Sequence, residues 1–298
     1  MTTFLQATIA GLSLASIYAL LALGFVIIYK AMQVVSFAHP AVMLFGAYMV
    51  SWFAVDLGVP FVLAVVLGAL ATALLGYLSE RIAIRPMIGK PLFSIAIVTI
   101  GLDVVIRTPI NNLIGLDIRG VGSPWGFNSW TVGGANLPHR SVAMIVTALV
   151  ITLLLFLFFR YTRVGLAMRA TAMDQEVALA QGINVGRIFA LAWMMAGAMA
   201  AVAGMFAASD LAGLSASTYI VGIKALPAIV VGGLDSINGA VVGALVVGLA
   251  EAYTATYQSS AAPWLGSNFS QVVPYVVLLA VLLIRPYGLF GSAEVERV

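Results

Sequence analysis

Apolar residues along this chain come in runs of about twenty, each closed by a short cluster of charge, glycine or proline. A bilayer core roughly 30 Å thick is crossed by about 20 residues of helix, so run length is the first signal to read. It predicts about nine spans: Phe4–Tyr29, Phe37–Val55, Phe61–Leu78, Phe93–Ile114, Val142–Phe159, Ile188–Ala208, Thr218–Leu234, Gly239–Tyr257 and Val272–Ile284. The seventh is short and contains Pro227, Gly232 and Gly233. Two longer polar stretches interrupt the series. Residues 116–140 are rich in Gly, Pro, Asn and Trp, and residues 160–187 form a basic, helix-forming island. The pattern predicts an all-α polytopic membrane protein with one transmembrane domain over residues 1–298. The first apolar run has no positive residues before it and is too long for a signal-peptide core, so it is read as a retained span.

Charge orients this map. When the loops are assigned to alternate sides, Lys30, Arg81, Arg85, Lys90, Arg160, Arg163, Arg169, Arg187, Arg285 and Arg297 fall on one side. Only Arg119 and Arg140 fall on the other. The positive side is cytoplasmic, which puts the N-terminus outside, the C-terminus inside, loop 116–140 outward and island 160–187 in the cytosol. Composition agrees with the class: 62% of residues are hydrophobic and 8% charged, against about a quarter charged in soluble domains. The chain has no cysteine, which removes disulfides and thiol chemistry. A net charge of +3 carries no nucleic-acid signal. There is no P-loop, GxSxG or HExxH pattern, and His39 and His139 have no metal-ligand spacing around them, so neither an enzyme nor a metal site is expected. The 29 glycines suit close helix packing in lipid, where small residues let backbones approach.

The remaining candidates are polar residues in apolar surroundings. Val35–Val42 breaks one hydrophobic region and Leu234–Val241 another; Gly46-Ala47 follows the first and Gly243-Ala244 the second. Interruptions in corresponding halves point to a transport path, or are simply short loops. Ser36, Phe37, His39, Ser236 and Asn238 are the candidate path contacts, with helix caps and turn bonds as the alternative. Pro227 beside Gly232-Gly233 marks backbone that could unwind toward a solute. Ionisable groups inside spans are functional candidates by default. Asp103 and Arg107, four apart on one helix face, read as a local ion pair or a polar lining. Lys224 is expected to snorkel to the outer interface. Glu251 has three uses open to it: pairing with Lys224, bonding a neighbouring helix, or facing a wet cavity. In the island, Met168–Gln181 is rich in helix formers and Gly182 suits a helix stop. One short surface helix results, placed to dock a soluble partner or to lie on anionic lipid.

Five segments together resemble the permease subunits of branched-chain amino acid ABC importers, the H-type of the two permeases. They are Gly11–Tyr29, Ser36–Tyr48, Met168–Ile188, Gly222–Ala252 and the RPYGLFG sequence Arg285–Gly291, in order and at matching intervals. The resemblance implies an importer permease fold with broken helices in a bacterial cytoplasmic membrane. It implies ATPase coupling through Arg169, Ala170, Thr171, Ala172, Asp174, Ala178 and Gly182. The implied partners are an M-type permease, two ATP-binding subunits and an extracytoplasmic binding protein docked on the outward loop. ATP and Mg would be bound on the ATPase subunits and no cofactor on this chain. Two departures stand out: Pro40 follows His39 where the family often has glycine, and Asp103 stands where a small polar residue is expected. Urea, amides and aromatic acids are carried by similar relatives. A stand-alone secondary transporter would explain the spans but leaves the island without a purpose.

Overall fold

A computed structural model describes residues 2–291 apart from 116–117, 127, 210–212 and 267. Its helices are α1 (Thr2–Met32), α2 (His39–Ser51), α3 (Phe61–Ser79), α4 (Leu92–Ile114), α5 (His139–Tyr161), α6 (Arg163–Met173), α7 (Gln175–Ala180), α8 (Val185–Ala208), α9 (Thr218–Gly232), α10 (Ile237–Ala261) and α11 (Val273–Ile284). Short π-helical turns, Trp52–Asp56 and Glu80–Ile84, continue α2 and α3. Among the described residues six helices are long and apolar enough to cross a membrane: α1, α3 with its π-turn, α4, α5, α8 and α10. The other apolar elements are α2, 18 residues long with its π-turn, and the shorter α9 and α11, with 15 and 12 residues. At a rise of about 1.5 Å per residue α9 and α11 fall short of a bilayer core.

The all-α expectation is amended by one hairpin, β1 (Ser129–Val132) against β2 (Ala135–Pro138), inside the loop 116–140. Gly133 and Gly134 connect the strands, both at positive φ (59° and 79°). A two-residue turn with both central φ positive matches strand twist, and glycine adopts it without a Cβ penalty.

Contacts divide the chain into two units. One comprises Met1–Val26, Trp125–Leu149 and Lys224–Val298, the other Ile27–Pro124 and Val150–Ile223. In the second unit α2, α3 and α8 pack on one another. The face of α3 turned inward is small: Ala64, Gly68, Thr72, Gly76 and Ser79 are buried, whereas Val62, Leu70 and Leu74 are exposed. This inverts the pattern of a water-soluble helix. Lipid solvates large side chains well, and small residues let helices meet backbone to backbone. A Cβ on Gly197 of α8 would stand 2.5 Å from the Thr72 carbonyl oxygen, and one on Gly76 would stand 2.4 Å from that of Trp193.

In the first unit one stripe of α1 lies along α10. Phe4 stacks on Tyr253 with centroids 5.6 Å apart, and Thr8 Oγ1 lies 3.0 Å from the Tyr253 hydroxyl. Gly11 meets Leu249, and Ala15 meets Gly248. The stripe ends at Tyr18, which bonds Glu251. Steps of four and three residues keep it on one helix face.

Candidate functional site

The break after α1 is built by strain and pinned by one side chain. Gln33 has φ +59°, the only positive φ at a non-glycine among the described residues, and its N–H donates to the Tyr29 carbonyl at 2.7 Å. This is a left-handed helix stop made without glycine. Residues 34–36 are then irregular, and α2 starts at His39. Pro40 lies in the first turn of α2, where its missing N–H needs no partner. Within the break the Phe37 N–H donates to Thr99 Oγ1 of α4 at 3.1 Å, and Thr99 donates onward to the Ala96 carbonyl. Ser36 is fully buried and its Oγ has no hydrogen-bond partner. His39 is buried at the first position of α2.

Thr99 is the first residue of a polar stripe on α4, followed at i+4 and i+8 by Asp103 and Arg107. Arg107 Nε donates to Asp103 Oδ2 at 3.1 Å. The Tyr219 hydroxyl of α9 lies 2.9 Å and 3.0 Å from the two carboxylate oxygens. The Arg107 guanidinium sits 4.6 Å above the Tyr219 ring, a cation–π contact. The local-pair reading of Asp103 and Arg107 therefore stands, with Tyr219 as a third member that the sequence did not single out. Gly222, one turn further along α9, touches Pro40 closely enough that a Cβ would stand 2.9 Å from its Cα. The break, the α4 stripe and the start of α9 thus meet within one unit. Thr99→Val is expected to cost about 1–3 kcal/mol by stranding the Phe37 N–H, whereas Thr99→Ser is expected to stay near the parent. Thermal unfolding in detergent measures both.

The second break uses its polar groups locally. Ser236 caps α10, its Oγ accepting from the Gly239 N–H at 3.0 Å, and Asn238 is exposed in the first turn. Pro227 lies inside α9. Gly232 and Gly239 pack backbone to backbone, and Gly233 ends α9 at φ +111°. The carbonyls of Val231 and Gly232 accept from Leu289 and Phe290 at 2.9 and 3.0 Å. The RPYGLFG sequence therefore closes the C-terminal end of α9. That role depends on a backbone approach invisible in the sequence.

Lys224 does not snorkel. It is 9% exposed, and its Nζ lies 2.5 Å from Glu251 Oε1. Tyr18, wholly buried, donates to Glu251 Oε2 at 2.6 Å. Of the three uses open to Glu251, the structure takes two: Oε1 pairs with Lys224, and Oε2 accepts from Tyr18 of the neighbouring α1. The burial is tolerable because every charge has a close partner.

The island is two helices, not one. α6 starts at Thr162, whose Oγ1 accepts from the Gly165 N–H at 2.9 Å. Asp174 interrupts it in extended conformation (φ −159°, ψ 114°) and caps α7 by accepting from Glu176 and Val177. An aspartate with this reach favours capping over continuing a helix. At the far end Gly182 has φ +81°, and the Ile183 N–H bonds the Ala178 carbonyl, a left-handed helix stop. Asn184 then caps α8. The break changes which residues face out. Thr171 and Ala178 are buried, Ala170 and Ala172 are half-buried, and Arg169, Asp174 and Gly182 are exposed. Met173 (88% exposed), Val177 and Leu179 are exposed apolar residues that the sequence reading did not select.

Comparison with known proteins adds the following. A family model described as "Branched-chain amino acid transport system / permease component" matches residues 7–282. The high-affinity branched-chain amino acid transport system permease protein LivH of Escherichia coli is 33% identical over 99% of this chain and 98% of its own length. The corresponding protein BraD of Pseudomonas aeruginosa is 30% identical over the same shares. Among solved structures, PsaBC from Streptococcus pneumoniae in complex with Fab aligns with a TM-score of 0.50 at 15% identity, over 96% of this chain and 94% of that one. At that identity the likeness concerns fold alone.

Proposed function

The chain belongs to the family of branched-chain amino acid transport permease components, which are not enzymes, and on that premise we propose that it is the H-type permease of an ATP-driven importer of branched-chain amino acids. The observation that carries the reading is the near end-to-end match. The exposed two-helix island between α5 and α8 supports the coupling role. In the proposed complex an M-type permease pairs with this chain, two ATPase subunits hold ATP and Mg, and an extracytoplasmic binding protein delivers solute. The chain lies in a bacterial cytoplasmic membrane with nine apolar segments, its N-terminus outside and residues 160–187 in the cytosol. The charge bias supports that orientation. Four of the five tryptophans, Trp52, Trp125, Trp130 and Trp264, also fall at outward ends or loops of the same map, as interfacial residues do.

Movement of residues 163–182 against the ATPases would switch which side of the permease is open. The solute path runs by the 34–38 break, which Phe37 ties to the α4 stripe through Thr99, with Ser36 and His39 on either side of Phe37. An apolar side chain asks little of such a path beyond passage, so the few polar groups act on the charged head of the amino acid. Ser36 Oγ, buried without a hydrogen-bond partner, is available to it. Gly232, Gly233 and Ser236 serve the packing and capping of α9 and α10.

The test is leucine uptake into proteoliposomes that hold the co-expressed complex, with binding protein outside and ATP inside. Uptake is expected to need both. Met173→Glu, at an exposed site where folding is not at stake, is expected to lower uptake about tenfold or more, since it removes an apolar contact worth about 1.5–3 kcal/mol and puts a charge in its place. Uptake of urea or an aromatic acid in place of leucine would replace the substrate and keep the mechanism. Uptake by this chain alone without ATP would overturn it.

A further inference from the structure

A buried carboxylate at the far end of α3 has a partner that also reaches α8. Glu80 is fully buried. Arg85 grips both its oxygens, Nε to Oε1 at 3.0 Å and Nη2 to Oε2 at 2.9 Å. The same Nη2 donates to the Gly186 carbonyl at 2.8 Å, in the first turn of α8. Glu80 and Arg85 are five residues apart, which in an α-helix points their side chains about 140° apart. The π-turn Glu80–Ile84, closed by the Arg85 N–H on the Glu80 carbonyl, brings them onto one face. A Cβ at Gly186 would meet Arg85 Cζ at 3.5 Å, an ordinary contact distance, so the guanidinium lies close over this stretch of backbone. Gly186 directly follows Asn184 and Val185, where the island ends, and α6 and α7 both pack on α8.

We propose that the Glu80–Arg85–Gly186 fork is the link that carries movement of residues 163–182 into α3, so that α3 and α8 switch as one body. This rests on the reading of those residues as the ATPase-coupling segment. Without the fork, a push on α6 and α7 reaches α3 through the packing of α8 alone, most of it small-residue contact further along both helices. With it, a planar bidentate guanidinium ties the first turn of α8 to the last turns of α3 at the level where the push arrives. A lysine cannot make this tie, because a single ammonium lacks the fixed fork that reaches two carboxylate oxygens and a carbonyl together. Arg85 is thus a positioning residue, and the π-turn that aims it serves transmission.

The experiment measures leucine taken up per ATP hydrolysed in the reconstituted complex for wild type, Arg85→Lys, Gly186→Leu and Gly186→Ala, with assembly checked by size exclusion. Gly186→Leu keeps the ion pair and displaces the guanidinium from α8. Gly186→Ala places its Cβ at ordinary contact distance and is expected to match wild type. Arg85→Lys and Gly186→Leu are expected to assemble and hydrolyse ATP while uptake per ATP falls about two- to thirtyfold, the range of coupling changes worth 0.5–2 kcal/mol. A wild-type ratio in both assembled variants would overturn the inference and leave the importer reading intact. Loss of assembly in both would make the fork a structural clamp only and would overturn it as well. Absence of ATP-dependent uptake in the wild type would remove the importer reading first and the inference with it.

Discussion

Lys224→Met is expected to remove most of the folded protein from the membrane, and Lys224→Met combined with Glu251→Met to bring it back. The single change leaves Glu251 buried, 7% exposed, with only the Tyr18 hydroxyl to answer its charge. Breaking a buried pair from one side costs about 3–5 kcal/mol, a large part of a native stability of about 5–15 kcal/mol. The double change removes both charges and fills the space with side chains of similar volume, which is often neutral or stabilising. Tyr18→Phe removes one hydrogen bond to a charged group and is expected to cost about 1.5–3 kcal/mol. The readouts are the monodisperse fraction after detergent extraction and the unfolding temperature. Equal losses in single and double variants would mean that the pair, not its imbalance, is required.

Gly197→Ala, one methyl group, is expected to be nearly as damaging. Its Cβ would stand 2.5 Å from the Thr72 carbonyl oxygen and 3.1 Å from the Thr72 carbonyl carbon. Both are backbone atoms of a packed helix and cannot step aside as a flexible side chain can. α3 and α8 must separate, and the reciprocal contact of Gly76 with Trp193 opens with them. Overpacking of this kind costs about 1–3 kcal/mol or more. The internal control is Gly101→Ala on α4, where nothing lies within 4 Å of the new Cβ. There the change is expected to stabilise by up to about 1 kcal/mol through helix propensity. Parallel unfolding curves of the two alanine variants test the packing directly. Equal behaviour would show that the α3–α8 approach is looser than backbone contact.

Much of the architecture was legible before any contact was known. The long spans at α1, α3, α4, α5, α8 and α10 follow from run length. Asp103 and Arg107 pair because four residues along a helix face bring side chains together in any surroundings. Gly182 was recognisable as a stop because a left-handed position selects glycine locally. The same local logic misled where a competing local preference won. Met168–Gln181 is rich in helix formers, yet Asp174 caps a new helix in the middle of it. The hairpin 129–138 lies in a stretch whose composition predicts loop, although Gly133-Gly134 between Trp130-Thr131 and Asn136-Leu137 is a two-residue turn signal. The surrounding glycine- and proline-rich sequence masked it.

Partner choice followed different rules. Lys224 and Glu251 are 27 residues apart, Tyr18 and Glu251 233, Tyr219 and Asp103 116, and Arg85 and Gly186 101. No periodicity connects such positions. Glu80 and Arg85 are close in sequence, but an ordinary helix would point them apart, and only the π-turn makes them a pair. Hydropathy over some twenty residues is a local sum that the bilayer reads directly, so the sequence alone determined the membrane class, the long helices and the places where they break. Which small face meets which, and which buried charge answers which, is set by backbones approaching to van der Waals contact. Those choices were made only by the tertiary structure.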